Sequence, residues 1–145
     1  DDVVLDLYSG VGTLSICACQ KAKSVIGVEV VPNAVKNALI NKKVNKVKNV
    51  EFMLGDVSKI VNNLKQNFST IIFDPPRKGL DKKTIEFTLK KLPNKIIYVS
   101  CNAITLVRDL KLLSDIYNVS EVYMLDMFSY SYHFETVCIL ERKDV

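Results

Sequence analysis

At 145 residues, with a formal net charge of +4, 48% apolar and 25% charged residues, the chain has ordinary globular composition and a size suited to one domain. It has no repeat, no low-complexity stretch and no apolar run near the roughly 20 residues of a membrane span, and Asp1-Asp2 is no leader, so it reads as soluble and cytoplasmic. The four cysteines (Cys17, Cys19, Cys101, Cys138) form no Cys-x-x-Cys pair and there is one histidine, which points to reduced thiols and leaves a metal site poorly supplied.

Short β-rich runs alternate with amphipathic segments of helix length. Strands are expected at Val3 to Leu7, Ser24 to Val28, Val50 to Leu54, Thr70 to Phe73 and Ile96 to Val99. Between them lie expected helices at Thr13 to Lys21, Pro32 to about Asn45, Val57 to Leu64 and Lys82 to Leu89, the second with proline in its first turn. Asn102 is placed to cap a last helix whose apolar Ile104, Val107, Leu110 and Leu113 share a face by their spacing of three. Val122 to Leu125 and Thr136 to Leu140 then follow with no room for a crossover helix, so they should pair antiparallel. The order predicts an α/β, doubly wound, mostly parallel seven-stranded sheet, Rossmann-like, closed by an antiparallel C-terminal hairpin. That is also the arrangement of methyltransferases that use S-adenosylmethionine.

The strand ends carry the chemistry. In "DLYSGVGT" (Asp6 to Thr13), Gly10 and Gly12 follow a strand and precede a helix, where glycine permits a sharp turn and close approach to a ligand. Ser15 takes the third glycine position of the dinucleotide fingerprint, which weakens a dehydrogenase assignment, and the absence of a P-loop lysine argues against a nucleoside triphosphate. Glu29 ends the next strand, suited to ribose hydroxyls; Asp56 and Asp74 end the third and fourth. Carboxylates at successive strand ends open onto one crevice and suit a ligand rich in hydroxyl and amino donors, or a sulfonium cation. Any one of them alone is commonly a helix cap. Lysines cluster at 42, 43, 46 and 48, at 82 and 83, and at 90 and 91. Most such lysines are solvated helix faces, although the excess of positive charge permits a nucleic-acid partner.

"DPPRKGL" (Asp74 to Leu80), "YVSCNAITLVRD" (Tyr98 to Asp109) and "DMFSYSYHFETV" (Asp126 to Val137), together with "DLYSGVGT", resemble the catalytic domain of the RNA uracil-5-methyltransferases across essentially the whole chain. The chemistry asks for such residues independently. Carbon 5 of uracil becomes nucleophilic once a thiolate adds at carbon 6, and a base must later remove the carbon 5 proton. The resemblance implies Cys101 as covalent nucleophile and Glu135 as general base. It implies Tyr8, Glu29 and Asp74 as contacts to S-adenosyl-L-methionine, with Asp56 near the adenine and Gly10 and Gly12 in the turn beneath. Asp74 stands between cofactor and uracil, and Arg77 is placed for a phosphate of an RNA partner, ribosomal or transfer. His133 suits an orienting role, and Tyr130 and Tyr132 suit stacking on a flipped base or packing at the sheet edge.

Two departures from the family pattern are visible. Ala103 and Ser129 stand where proline usually follows Ser-Cys-Asn and Asp-Met-Phe, which should loosen loops beside the chemistry without removing a reactive group. The family's proteins also carry RNA-binding sequence ahead of this domain, so the chain, one domain over 1–145, is expected to be a fragment that folds but binds cofactor weakly and RNA very weakly. Two rivals remain at this point. An amino methyltransferase acting on adenine or guanine shares the Asp-Pro-Pro loop but needs no cysteine, and a degenerate binding module would be expected to have lost Cys101 or Glu135.

Overall fold

The computed structural model describes residues 2–127, 129–131 and 133–143. Seven strands, β1 (Val3–Leu7), β2 (Ser24–Glu29), β3 (Val50–Leu54), β4 (Thr70–Phe73), β5 (Lys95–Ser100), β6 (Tyr117–Leu125) and β7 (Glu135–Arg142), form one sheet in the order β3-β2-β1-β4-β5-β7-β6. The first five run parallel, while β7 lies antiparallel to both β5 and β6. The forecast doubly wound sheet with its closing hairpin is therefore what forms. The central strands are apolar almost throughout because helices cover both of their faces.

Five helices connect the strands: α1 (Thr13–Ala18), α2 (Pro32–Val44), α3 (Val57–Ile60), α4 (Lys82–Lys91) and α5 (Ala103–Leu113). On one sheet face Leu5, Leu7, Ile26, Ile71, Phe73, Ile96 and Tyr98 pack against Ile85 and Phe87 of α4 and Leu106 and Leu113 of α5. Phe73 and Tyr98 meet edge to face with ring centroids 5.6 Å apart. On the other face Val4, Val25, Val50 and Ile72 form a smaller core with Leu14 and Ala18 of α1. Among the described residues no helix is long and apolar enough to cross a membrane.

Some expectations need correction. The first helix ends at Ala18 rather than Lys21, and the segment expected as one helix to Leu64 is a single α turn followed by a 3-10 turn over Val61–Asn63. Strand β6 begins five residues before Val122, because its edge position exposes Asn118, Ser120 and Glu121 and so hides the alternation that marks a buried strand. The apolar face of α5 is also not the one expected. Ile104 and Val107 are exposed, whereas Leu106, Asp109 and Leu113 are buried. Each step of three residues falls about 60° short of a full turn, so three such steps carry a row to the opposite side of the helix.

Candidate active site

Strand β1 delivers the chain to a turn in which Tyr8, Gly10 and Gly12 all have positive φ (66°, 55° and 83°). At Gly12 a β-carbon would lie 2.5 Å from the Phe52 ring and 3.1 Å from the Ala38 β-carbon, so glycine is required by close packing against β3 and α2. Gly10 faces open space. Its N–H donates to Glu29 Oε2 at 2.9 Å, and the N–H groups of Val30 and Val31 both donate to Oε1 at 2.8 Å. Three backbone donors thus orient the Glu29 carboxylate at the end of β2, and Oε2 keeps the spare acceptor capacity that a ribose hydroxyl would use.

A cavity of about 650 Å³ opens beside this turn, lined by Tyr8, Glu29, Val30, Val31, Asp56, Val57, Ser58, Asp74, Pro76, Lys78, Asp81, Lys82 and Lys83. Four of the sequence-predicted residues, Tyr8, Glu29, Asp56 and Asp74, come together in it. Gly10 and Gly12 do not line it, and neither do Cys101 and Glu135. Asp56 also caps α3, accepting hydrogen bonds from Ser58 N (2.8 Å) and Ser58 Oγ (2.6 Å), which hold its carboxyl below the usual range. Tyr8 lies partly buried against the larger core with its hydroxyl pushed up to about 12, chiefly by burial. That hydroxyl donates, at a long 3.4 Å, to Asp81, which caps α4 through Thr84 N. Sequence reasoning missed Asp81, Lys78 and the Val30-Val31 wall. Asp81 had a signal, an acidic residue directly before the Lys82 helix.

The nucleophile and base expected from the sequence both lie outside the cavity lining. In the β5–β7 ladder the last pair is Ser100 with Thr136, so the chain leaves β5 into Cys101 beside the end of β7 that begins at Glu135. Both are half-buried. Asp74 follows β4, which pairs with β5 through Phe73 and Tyr98. The Asp74 carboxyl is pushed up, first by desolvation and then by the charge of Glu135. Asn102 ties the two loops together: its Oδ1 caps α5 at Ile104 N (3.1 Å) and its Nδ2 donates to the Arg77 carbonyl (3.0 Å). The Arg77 side chain is exposed, as are His133 and Tyr130, while Tyr132 lies outside the described residues. Among the described residues no group of three or more His, Cys, Asp or Glu is arranged to hold a metal ion.

The family described as tRNA (Uracil-5-)-methyltransferase matches residues 1–143. The chain belongs to this family. An uncharacterized RNA methyltransferase of Caldanaerobacter subterraneus is 45% identical over 145 residues, covering 97% of this chain and 32% of the relative. One of Clostridium tetani is 42% identical over 144 residues, covering 97% and 31%. Among solved structures, the tRNA (uracil-54, C5)-methyltransferase of Pyrococcus abyssi in complex with S-adenosyl-L-homocysteine superposes with a TM-score of 0.87 at 35% identity, covering 97% of this chain and 34% of that one. A Streptococcus thermophilus rRNA methylase, 15% identical with a TM-score of 0.77, shares the fold. The chain therefore spans about a third of the length of these uracil-5 family relatives.

The residues present fit an adenosyl cofactor. The cavity has a volume typical of small-molecule sites, with apolar Val30, Val31, Val57 and Pro76 for a ring and the Glu29 carboxylate for hydroxyls. Beneath the glycine turn, Asp6 Oδ1 and Ser9 Oγ are buried polar atoms with no hydrogen-bond partner among the described residues, the condition in which a site awaits a polar ligand or water.

Proposed function

We propose that this domain methylates carbon 5 of a uridine in RNA through a covalent bond between Cys101 and carbon 6. The proposal is carried by one observation, the ladder pair Ser100–Thr136, which brings the end of β5 just before Cys101 beside the start of β7 at Glu135, whose charge also reaches Asp74. Tyr8, Glu29, Asp56 and Asp74 would hold S-adenosylmethionine in the cavity, where it would supply an electrophilic methyl group and be left as the neutral thioether. The Cys101 thiolate adds to carbon 6; the electrons of the 5,6 double bond pass toward the carbon 4 oxygen, and carbon 5 becomes the nucleophile that takes the methyl group. Asp74 hydrogen-bonds the uracil edge. The Glu135 carboxylate then removes the carbon 5 hydrogen, the double bond re-forms, and the carbon–sulfur bond breaks to return the Cys101 thiolate.

The RNA partner, transfer or ribosomal, follows from the family and from the positive charge. Arg77 and the rim lysines Lys78, Lys82 and Lys83 offer cations beside the cavity.

The deciding experiment is intact-mass analysis of the full-length protein incubated with S-adenosylmethionine and RNA containing 5-fluorouridine. Fluorine does not leave as a proton, so wild type is expected to accumulate a methylated protein–RNA adduct that Cys101→Ala fails to form. Glu135→Gln is expected to accumulate an adduct even on ordinary uridine, because methyl transfer precedes the proton removal it disables. Retained methyl transfer by Cys101→Ala would show a direct transfer, as an amino methyltransferase performs, and would discard the covalent mechanism.

A further inference from the structure

The segment after Asp74 is held by the helix that follows Cys101. Asp109 on α5 is fully buried, and each of its carboxylate oxygens has two partners. Oδ2 accepts from Leu80 N (2.8 Å) and the Tyr98 hydroxyl (2.7 Å); Oδ1 accepts from Arg108 Nε (2.8 Å) and lies 2.7 Å from Nη2. That Nη2 also donates to the Lys78 and Leu80 carbonyls at 3.0 and 3.1 Å. One turn earlier, Thr105 Oγ1 donates to the Arg77 carbonyl at 3.1 Å, the same oxygen that Asn102 reaches. Gly79 completes the fit. Its φ is +75°, and a β-carbon there would lie 2.5 Å from Asp109 Oδ2 and 2.7 Å from Arg108 Nη2.

Asn102, Thr105, Arg108 and Asp109, at one helix end, therefore hold Arg77, Lys78 and Leu80 by their backbone, with Gly79 fitted between them. Between this anchored stretch and Asp74 lie only Pro75 and Pro76, whose fixed φ angles pass any shift of the anchor to the carboxylate. At the other side of the junction Asn102 adjoins Cys101 directly. A core in need of a tie between strand and helix would be served by Leu106 and Leu113 alone. A fully buried carboxylate paired with arginine is costly to desolvate and adds little net stability, so its return is geometric.

We propose that Arg108 and Asp109 are positioning residues that lock the Asp74 loop to the Cys101 loop, fixing the placement of the Asp74 carboxyl relative to the nucleophile. The proposal rests on the uracil-5 function above. Displacements of about 1 Å between reacting groups cost on the order of 100-fold in rate, whereas ground-state binding by groups elsewhere is little affected. The clamp bears on the Asp74 and Lys78 side of the cavity and leaves the Glu29 side untouched, so a rate measured at saturating cofactor separates a misplaced Asp74 from weakened cofactor binding.

The test uses the full-length protein with Arg108→Gln, which removes the guanidinium fork, and Thr105→Val, which removes one exposed anchor and leaves the buried pair intact. Measured are the single-turnover rate of adduct formation with 5-fluorouridine RNA at saturating S-adenosylmethionine, and cofactor affinity by calorimetry. Arg108→Gln is expected to slow adduct formation about 10- to 100-fold at saturating cofactor, by more than any change in the cofactor dissociation constant, Thr105→Val to slow it less, and Arg108→Lys to recover part of the loss. If Arg108→Gln does not fold, a Thr105→Val slowed at saturating cofactor supports the clamp, and a Thr105→Val at wild-type rate overturns it. Wild-type rates in folded Arg108→Gln, or a loss confined to cofactor affinity, overturn the clamp while leaving the uracil-5 function standing. Failure of wild type itself to form the adduct overturns both.

Discussion

Asp6 is a carboxyl in an environment its type does not prefer. It sits fully buried near the end of β1, between Gly27 of β2 and Ile72 of β4, with Ser15 Oγ donating to Oδ2 at 2.5 Å and Oδ1 unpartnered among the described residues. Desolvation pushes its carboxyl up to about 7; the Asp74 and Glu29 charges add to this, and the Ser15 hydrogen bonds oppose it. The native state then holds a proton that the unfolded chain releases near the ordinary carboxyl value, so stability falls as pH rises between about 4 and 7 and levels off above. The loss attributable to Asp6 is on the order of 4 kcal/mol across that window. Asp6→Asn keeps the shape and cannot ionise. Its urea midpoint, measured from pH 4 to pH 8, is expected to fall less steeply than that of wild type over this range. Parallel profiles for the two proteins would show that Asp6 does not titrate there.

At the scale of elements, α5 marks both what the sequence discloses and what it conceals. The Asn102 cap was legible because a side-chain acceptor just ahead of an apolar periodic run has one main structural use, and the Ile104 N–H indeed donates to it. The buried stripe was not. Ile104 and Val107 are as apolar as Leu106 and Leu113, and a row spaced by three competes with one spaced by three and four until tertiary packing decides. The deciding partner is Asp109, whose place in the buried face depends, besides its neighbour Arg108, on the Tyr98 hydroxyl and the Leu80 N–H, 11 and 29 residues away in sequence. Leu106→Ala is accordingly expected to cost about 2–5 kcal/mol in chemical denaturation. Ile104→Ala, on the exposed side, should change stability by no more than about 0.5 kcal/mol. Equal losses would restore the stripe that spacing suggested. The strand-end acids were legible for the opposite reason: the C-terminal ends of parallel strands converge by topology, so Glu29, Asp56 and Asp74 reach one cavity without long-range information. The separation of Cys101 and Glu135 from that cavity depends on the β5–β7 register, which residue types alone do not specify.

In the whole molecule, the two cores lie back to back on one sheet and share its central strands, β1 supplying Leu5 and Leu7 to one and Val4 to the other. Loss of either core exposes the other's strands, so the 145-residue chain is expected to unfold in a single cooperative step. The sheet is nevertheless unevenly covered. Alternate residues of β5 and β7 on the face away from α5, namely Val99, Val137 and Ile139, belong to neither core and remain half-buried. By register Tyr123 pairs with Val137 on that face, and Leu125 lies two residues along it; both are exposed at 48% and 44%. A contiguous apolar surface of this kind binds hydrophobic dyes in the native state. The isolated chain should therefore enhance the fluorescence of an anilinonaphthalene dye before its melting transition. Val137→Thr with Ile139→Thr should reduce that enhancement severalfold. Their cost in stability should be below that of a core truncation such as Leu106→Ala, because these side chains already touch water. Dye binding that appears only as the protein melts would mean that the β5–β7–β6 face is closed in solution by the chain itself. Dye binding that persists unchanged in the double variant would place the exposed apolar surface elsewhere, with the outward Ile104 and Val107 of α5 the next residues to replace.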